Sequence, residues 1–245
     1  MKQYEAVIET LETLGGIATL GQLNHEVFKI EDCVWKTKTP FASIRRIVQL
    51  DKNIYKIKPG LYGLIKYKSK FENLGIISEE SIPKKVNLNE EFNHSYYQGL
   101  LLEIGNLKNM LTYIPPQDKN KLFLNKPLNS ISTVDIIFDF SYKEIVNRAK
   151  TIDVIWFNER KMLSSVFEVE HSTDIQNSLL KFNDLQDFNS EFYIVSSKVR
   201  KDEFFKKINY TSFKEIKDRI KFIDYELVSS LHTKMYELYS LDKIL

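Results

Sequence analysis

Hydrophobic side chains near the N-terminus recur at the spacing of amphipathic helices. Residues 3–14 carry such an apolar stripe, and Gly15 and Gly16 follow it. Glycine accepts the left-handed backbone of a helix C-terminus, so the first helix should end there. Thr19 is a suitable N-cap for a second helix, and Pro40 suits the first turn of a third. The pattern predicts three consecutive helices.

The periodicity then changes from helical spacing to the alternation of strands. Residues 53–65 (NIYKIKPGLYGLI) alternate apolar and polar side chains around Pro59-Gly60, which predicts a β-hairpin. Three helices followed by a hairpin are the order of a winged helix, a small helix-turn-helix domain, and we predict one over residues 1–67. Residues 68–92 show no sustained periodicity, which indicates a linker.

Residues 93–245 predict a second domain, whose elements run in the order helix, three strands, helix, strand. A long apolar helix begins near His94, and the clearest strands are the β-branched and aromatic runs 151–157 and 162–170. This order predicts an α/β fold in which helices flank a short mixed sheet. The other predicted elements are a strand at 111–114, a helix within the polar segment 117–150, a helix from 171 to 188 capped by Ser172 or Thr173, a strand at 191–197 and an amphipathic helix within 198–221.

The composition excludes several kinds of chemistry. All eight glycines lie at or before Gly105, so residues 128–245 cannot form a phosphate-binding loop, a dinucleotide-binding turn or a nucleophile elbow. One cysteine, Cys33, cannot form an internal disulfide, and a Cys/His zinc site is not expected. No stretch approaches the roughly 18 apolar residues of a spanning helix, and the N-terminus is charged, so we expect a cytoplasmic protein without a membrane partner.

Positive charge is concentrated in one segment. Residues 36–70 contain ten Lys or Arg and one acid, Asp51, so they carry +9, whereas the other 210 residues carry −7. In a winged helix the third helix enters the major groove and the hairpin reaches phosphates, so double-stranded DNA is the predicted partner. A solvated basic face and a protein-contacting winged helix are the alternatives. The predicted DNA-binding residues are Lys36, Lys38, Arg45, Arg46, Lys56 and Lys58.

Acidic residues stand within the two clearest strands. Asp153 interrupts an apolar run, and Glu168 and Glu170 alternate to the same face of the next strand. If the two strands pair as a hairpin, Asp153 lies beside Glu168 and three carboxylates converge at the rim of the sheet. Because close carboxylates repel one another, an oxygen-preferring divalent cation is expected there, and Mg²⁺ is the usual ion beside a phosphate.

Polar residues on the preceding helix are candidates to complete this site. Gln98 and His94 are one helical turn apart on one flank of the apolar stripe, and Glu103 lies on the opposite flank. We predict that Gln98, with His94, completes the site; a polar residue satisfied at the helix flank is the alternative. For the three carboxylates, the alternative to a metal site is that they are solvated acids at the ends of strands. The Glu168-Val169-Glu170 (ExE) pattern would then occur by chance. His171 and Lys198 are predicted to be a helix-entry residue and a solvated lysine, with phosphate contact as the alternative for each.

The N-terminal segment resembles the HARE-type helix-turn-helix domain, a winged-helix module fused to some restriction endonucleases and chromatin proteins. The shared features are GGIATLGQL at the turn and second helix, Thr39-Pro40 before the third helix, and the closing GLYGLI. The resemblance covers about residues 1–67.

The second domain resembles the PD-(D/E)XK nuclease superfamily through the pattern D-x14-ExE on two adjacent strands between two helices. More closely, IDVIWF…VFEVEHSTDIQNSLLKFNDL and the upstream HSYYQGLLLEIG resemble restriction-type endonuclease domains over about residues 93–225. The resemblance implies that Asp153 and Glu168 are the metal-binding catalytic carboxylates. Glu170 stands where most members have a catalytic lysine, although some restriction enzymes also have Glu at this position. The residue that acts as the base therefore stays open. A second metal ion could supply the positive charge that the lysine would bring. Gln98 remains the candidate for the helix residue of the site.

Together the resemblances imply a type II-like, Mg²⁺-dependent restriction endonuclease, with Mn²⁺ as a substitute ion and no nucleotide cofactor. A metal-activated water would hydrolyse double-stranded DNA at a specific sequence and leave 5′-phosphate and 3′-hydroxyl ends. Cutting both strands of a palindrome predicts a homodimer. The alternatives are a DNA-binding regulator with an inactive nuclease-like domain and a structure-specific DNA repair nuclease.

Overall fold

The computed structural model of the protein describes the backbone of residues 1–76 and 86–242 and the side chains of residues 1–76 and 90–241. The chain divides into two compact units, Met1–Phe92 with Ser229–Leu245, and Asn93–Val228. The C-terminal segment, which the sequence prediction assigned to the second domain, is therefore grouped with the N-terminal elements. None of the helices within the described residues combines the length and the apolar character needed to cross a membrane.

The first unit contains helices and a small antiparallel sheet. The sheet has the strand order β1-β3-β2, and its first strand, Ile17–Thr19, was not predicted. Pairing of Ala18 with Tyr62 adds this strand to the predicted hairpin. The elements of residues 1–76 are α1 (Gln3–Thr13), β1 (Ile17–Thr19), α2 (Leu20–Glu26), α3 (Pro40–Leu50), β2 (Ile54–Lys58), β3 (Leu61–Leu64) and α4 (Lys68–Asn73).

The helix boundaries of this unit follow from local chemistry. Gly15 and Gly16 have φ of +89° and +87°, a backbone region that favours glycine, and they follow α1 directly. Thr19 caps α2: its side chain accepts a hydrogen bond from the Gln22 backbone N–H, while the Gln22 side chain accepts one from the Thr19 N–H. Pro40 opens α3, because proline has no N–H to leave unpaired in a first turn.

The second unit is mixed α/β, with a five-stranded sheet of order β10-β9-β8-β7-β4 and helices beside it. The β4–β7 and β7–β8 pairs are antiparallel, and the β8–β9 and β9–β10 pairs are parallel. The elements from residue 86 onward are α5 (Val86–Leu107), β4 (Leu111–Tyr113), β5 (Leu122–Phe123), β6 (Lys126–Pro127), α6 (Lys143–Ala149), β7 (Val154–Phe157), β8 (Leu163–Glu170), α7 (Ile175–Asn183), β9 (Glu191–Ser196), α8 (Lys201–Ile208), β10 (Ile220–Asp224) and α9 (Tyr225–Asp242).

Several predicted elements differ from the structure. The helix expected from His94 begins at Val86, and α4 also lies within the predicted linker, of which residues 77–85 fall outside the described residues. The amphipathic helix predicted within 198–221 is limited to α8, and two short 3-10 turns and the parallel edge strand β10 follow it. Asp174, not Ser172 or Thr173, caps α7 by accepting a hydrogen bond from the Gln176 N–H at 2.8 Å.

Close packing fixes α5 against the sheet. A Cβ at Gly105 would lie 2.5 Å from Thr112 of β4 and 2.7 Å from the Trp156 ring nitrogen of β7, so only glycine fits there. The Trp156 indole N–H donates to the Leu101 carbonyl oxygen across the same contact, at 3.1 Å. The face of α5 that carries His94 and Gln98 is thereby held near the start of β7.

Candidate active site

The antiparallel pairing of β7 with β8 brings Asp153 beside Glu168, the arrangement expected if the two strands form a hairpin. Val154 is opposite Phe167 in the ladder, so the residue before Val154 lies level with the residue after Phe167. The Asp153 carboxylate also accepts a hydrogen bond from the Val169 N–H at 2.7 Å. Both acids are buried, with Asp153 9% and Glu168 2% exposed, so they occupy the interior instead of an open rim.

Glu168 and Glu170 face α7 from the same side of β8. The Ser178 hydroxyl donates to Glu168 at 3.0 Å and also contacts Glu170, so one hydroxyl links the two carboxylates. Thr173, just before α7, donates to the second oxygen of Glu170. The two glutamates are therefore fixed by hydroxyl groups from the chain that follows β8.

A lysine that the sequence analysis did not single out completes this side of the site. The Lys181 ammonium lies 2.8 Å from each oxygen of Glu168. Burial and the nearby Asp153 charge raise the pKa of Glu168, and the Lys181 ammonium opposes that rise without cancelling it. Lys181 is thus the partner that favours the ionised form of this buried carboxyl.

A second group of polar side chains meets Asp153 from α5 and the loop after β4. His94 Nε2 lies 3.4 Å from Asp153 Oδ1 and 3.8 Å from Asp118 Oδ2. The Gln98 amide N–H donates to Asp118 at 2.7 Å and to the Asp153 carbonyl oxygen at 3.3 Å. Lys121 also pairs with Asp118, at 2.7 Å. The structure therefore brings the predicted Gln98 and His94 to Asp153.

Electrostatics hold this group in a charged form. Burial disfavours the His94 cation, but hydrogen bonding and charge from Asp118 and Asp153 outweigh it and raise the pKa of His94 to about 10. Burial alone would raise the pKa of Asp118. Hydrogen bonds from His94, Lys121 and Gln98 outweigh this effect and hold the pKa of Asp118 well below its usual range. Without a metal, this group therefore favours the imidazolium form of His94 and the carboxylate form of Asp118.

The donor set suits an oxygen-preferring cation. Among the described residues, one group of three His, Cys, Asp or Glu places its ligand atoms within 4.8 Å of one another: His94, Asp118 and Asp153. The buried Gln98 Oε1 beside them has no hydrogen-bond partner within the described part of the chain. Two carboxylates and an unpaired amide oxygen match the ligands of Mg²⁺ or Mn²⁺. A protonated His94 cannot itself be a ligand, so the ion would have to displace its proton or bind the oxygens alone.

The other residues considered from sequence lie around this centre or away from it. His171 contacts the Asn93 amide at 3.2 Å and the Tyr225 hydroxyl at 3.1 Å, so it belongs to a hydrogen-bonded network behind Glu170. Lys198 is exposed in a short turn after β9. Glu103 is half-buried, and it is not part of the group formed by His94, Asp118 and Asp153.

Four residues that belong to the site acids or contact them were not predicted from the sequence: Asp118, Lys121, Ser178 and Lys181. Asp118 lies in a short turn after Pro115-Pro116, within a segment whose hydrophobic pattern predicts no regular contact with the sheet. Lys181 follows Ser178 by three residues on α7, so helical spacing placed the two on one face, but nothing in the sequence related that face to β8.

The predicted DNA-binding residues of the first unit differ in exposure. Lys36, Lys38, Arg46 and Lys56 are exposed, whereas Lys58 is buried, with 6% exposure. Arg45 is exposed but pairs with Glu237 of α9 at 3.1 Å. The exposed set therefore offers cations to a polyanion, and Lys58 does not.

Comparisons with known proteins bear on both the fold and the chemistry. Residues 76–244 match the family model described as the type II restriction enzyme NmeDI C-terminal domain. The chain is 25% identical over 167 residues to the type II restriction enzyme NmeDI of Neisseria meningitidis serogroup C, which covers 64% of this chain and 47% of that protein. The chain thus spans about half the length of this curated relative.

No solved structure matches the chain. The family match begins at Ile76, so it contains the buried carboxylates of β7 and β8 and leaves the basic N-terminal elements outside. Since it spans well over half of the chain, the protein belongs to the family of the type II restriction enzyme NmeDI C-terminal domain.

Proposed function

We propose that the protein is a Mg²⁺-dependent, type II-like restriction endonuclease that cuts both strands of DNA at a specific sequence. The observation that carries the proposal is the set of buried acids at the β7–β8 junction, within the family match. Burying several carboxylates together is costly unless cations compensate them. A divalent ion bound for phosphodiester hydrolysis would supply this compensating charge.

Asp153 is the central ligand in this proposal, because it belongs to both groups of acids. Glu168 approaches it from β8 and Asp118 from the turn after β4. When bound, the metal would polarise the phosphodiester and activate the attacking water. This is the superfamily site expected from the PD-(D/E)XK resemblance, with Asp118 added to it.

The other side chains orient these acids. Gln98 donates to Asp118, and its own buried carbonyl oxygen has no hydrogen-bond partner among the described residues, so it is available as a ligand. Ser178 and Thr173 hold the Glu170 oxygens, so this carboxylate is positioned to accept a proton from the attacking water. In-line hydrolysis would leave 5′-phosphate and 3′-hydroxyl ends.

The first unit is the proposed DNA-binding module. Its three helices and antiparallel strands have the order of a winged helix, and they resemble the HARE-type domain. The exposed cations Lys36, Lys38, Arg46 and Lys56 would contact phosphates or base edges. A homodimer would place two active sites on the two strands, and the cytoplasm is the expected compartment.

The test uses a long, sequenced, unmethylated duplex incubated with the protein in Mg²⁺ or in EDTA and separated on a gel. Discrete fragments that need Mg²⁺ are expected, and end mapping would give the sequence and the stagger. A smear would indicate a nuclease without sequence specificity. Binding without cutting, on methylated DNA as well, would overturn the proposal in favour of a regulator with an inactive nuclease-like domain.

A further inference from the structure

Helix α7 covers the face of β8 that carries the two glutamates. Because α7 connects the parallel strands β8 and β9, it must lie across one face of the sheet. Ser178 and Lys181, three residues apart, both reach Glu168 from that helix. One short stretch of α7 thus provides a hydroxyl and a cation to the same carboxylate.

Lys181 is held in place by its contacts. Its ammonium donates to both oxygens of Glu168 at 2.8 Å and to the Thr151 carbonyl oxygen at 3.0 Å. The side chain is 22% exposed, whereas that of Glu168 is 3% exposed. The cation therefore lies at the boundary between the buried Glu168 carboxyl and solvent.

The charge of the site explains why this position matters. A DNA phosphate is an anion, and the region it would enter contains four acidic side chains: Asp118, Asp153, Glu168 and Glu170. His94 is committed to Asp118 and Asp153, and Lys121 to Asp118. Among the ion pairs within the described residues, the cation on the β8 side of the site is Lys181.

We propose that Lys181 is the positioning residue of the active site: its ammonium orients Glu168 and supplies the positive charge that offsets the acids when a phosphate enters. This inference rests on the proposed endonuclease function.

The first experiment compares cleavage rates of the full chain on the DNA defined above, at saturating Mg²⁺. Lys181→Met keeps the length of the side chain and removes its charge, and we expect the rate to fall by about tenfold to a hundredfold. Lys181→Arg keeps the charge and should stay close to the wild type, with a loss well below that of Lys181→Met. Lys143→Met, which removes an exposed lysine at the start of α6, is the matched control and should leave the rate unchanged.

The two Lys181 variants distinguish charge from packing. Both replace the lysine by a side chain of similar length, but only Lys181→Arg keeps a cation beside Glu168. A rate near that of the wild type for Lys181→Arg, together with the loss for Lys181→Met, supports the proposal. Equal losses for the two variants would mean that Lys181 acts through packing and would overturn it.

Melting midpoints in EDTA test the ion pair without metal and without turnover. Lys181→Met removes the donor to both Glu168 oxygens and to the Thr151 carbonyl oxygen, so the midpoint should fall by about 5 °C or more. Adding Glu168→Gln removes the acid that lost its partner and should recover most of that loss. If the effects of Lys181→Met and Glu168→Gln on the midpoint simply add, the two residues do not interact and the pairing is contradicted. Failure of the wild type to cut would reject the proposed function, whereas equal cutting by wild type and Lys181→Met would reject this inference alone.

Discussion

The two compact units hold their charged residues in opposite ways. In the first unit, cations such as Lys36, Arg46 and Lys56 extend into solvent, and the Arg45–Glu237 pair has side chains 47% and 22% exposed. In the second unit, Glu168 is 2% and Glu170 4% exposed, and each is fixed by several donors. Exposed pairs are worth about 0–1 kcal/mol, whereas breaking a buried pair costs several times more.

This contrast separates two kinds of function. Exposed cations contribute additively to polyanion binding, because each phosphate contact adds a similar increment of binding free energy. Buried charges act individually, because each depends on a particular partner for its ionisation and orientation. Substitutions of the buried charged residues of the second unit should therefore have large, specific effects, and those of the exposed cations of the first unit small, graded ones.

The largest effect is expected at Asp153, the acid shared by both polar groups. Asp153→Asn preserves the shape and an oxygen for the Val169 N–H but removes the charge, so cleavage in Mg²⁺ should fall at least about a hundredfold. Rates on the mapped DNA site would be compared with those of Asp187→Asn, which neutralises an exposed aspartate. Retained cutting by Asp153→Asn would contradict the site assignment and the contrast between the units.

A smaller loss is expected at Asp118, which approaches the same site from a loop. Asp118→Asn removes the charge that His94 and Lys121 share, and we expect cleavage to fall about tenfold to a hundredfold. The Mg²⁺ concentration needed for half-maximal rate would rise if Asp118 is a ligand. An unchanged Mg²⁺ requirement would indicate that Asp118 only orients its neighbours. Asp135→Asn, at an exposed aspartate later in the same loop, is the control.

The part of the site that could be predicted from the sequence depends on the alternation of side chains along β-strands. Asp153 and Glu168 could be placed side by side because two β-branched and aromatic runs, joined by a short turn, pair as a hairpin, and alternation then sets the faces. The same reasoning placed Gln98 and His94 on one side of a helix, and the structure brings both to Asp153. Local periodicity therefore predicted much of the candidate site.

Residues that join the site through tertiary packing could not be predicted in this way. Asp118 lies in an irregular loop, where no period relates a side chain to the sheet, and a lone acid there has no distinguishing signal. Lys181 has the pattern of a solvated helix lysine, and only the crossover between β8 and β9 turns it toward Glu168. Likewise, β10 is short and lies at the sheet edge, so its strand character depends on pairing with β9.

A moderate effect should appear in the pH dependence of stability. The pKa of His94 is raised from about 6.5 to about 10 by its acidic neighbours. Protonated His94 therefore stabilises the folded state fully below about pH 6.5, and this contribution is lost as the pH rises toward 10. Melting midpoints in EDTA of the wild type and His94→Gln should differ most near pH 6 and converge toward pH 10.

Asn106→Ser is the control for that experiment, because it removes an uncharged side chain of the same unit that hydrogen-bonds Thr112 and the Ile131 carbonyl oxygen. Since no ionisable group is removed, its difference from the wild type should vary less between pH 6 and 10. A His94→Gln difference that stays constant over this range would show that His94 carries no shifted charge. The buried group would then be held by neutral hydrogen bonds, and the contrast with the exposed unit would be weaker.

The smallest effect of any single substitution is expected in the first unit. Each phosphate contact contributes about 0.9 to the slope of log K against log salt concentration, so Arg46→Ala should lower the slope of duplex binding by about that amount. Arg45→Ala should lower it less, because Arg45 must leave Glu237 to reach a phosphate. Binding would be measured in EDTA over a series of salt concentrations, with Lys29→Ala, at an exposed lysine paired with Glu26, as the control. An unchanged slope for the Arg45→Ala, Arg46→Ala double variant would mean that α3 faces something other than DNA, and the basic surface would then have to serve another polyanion or a protein partner.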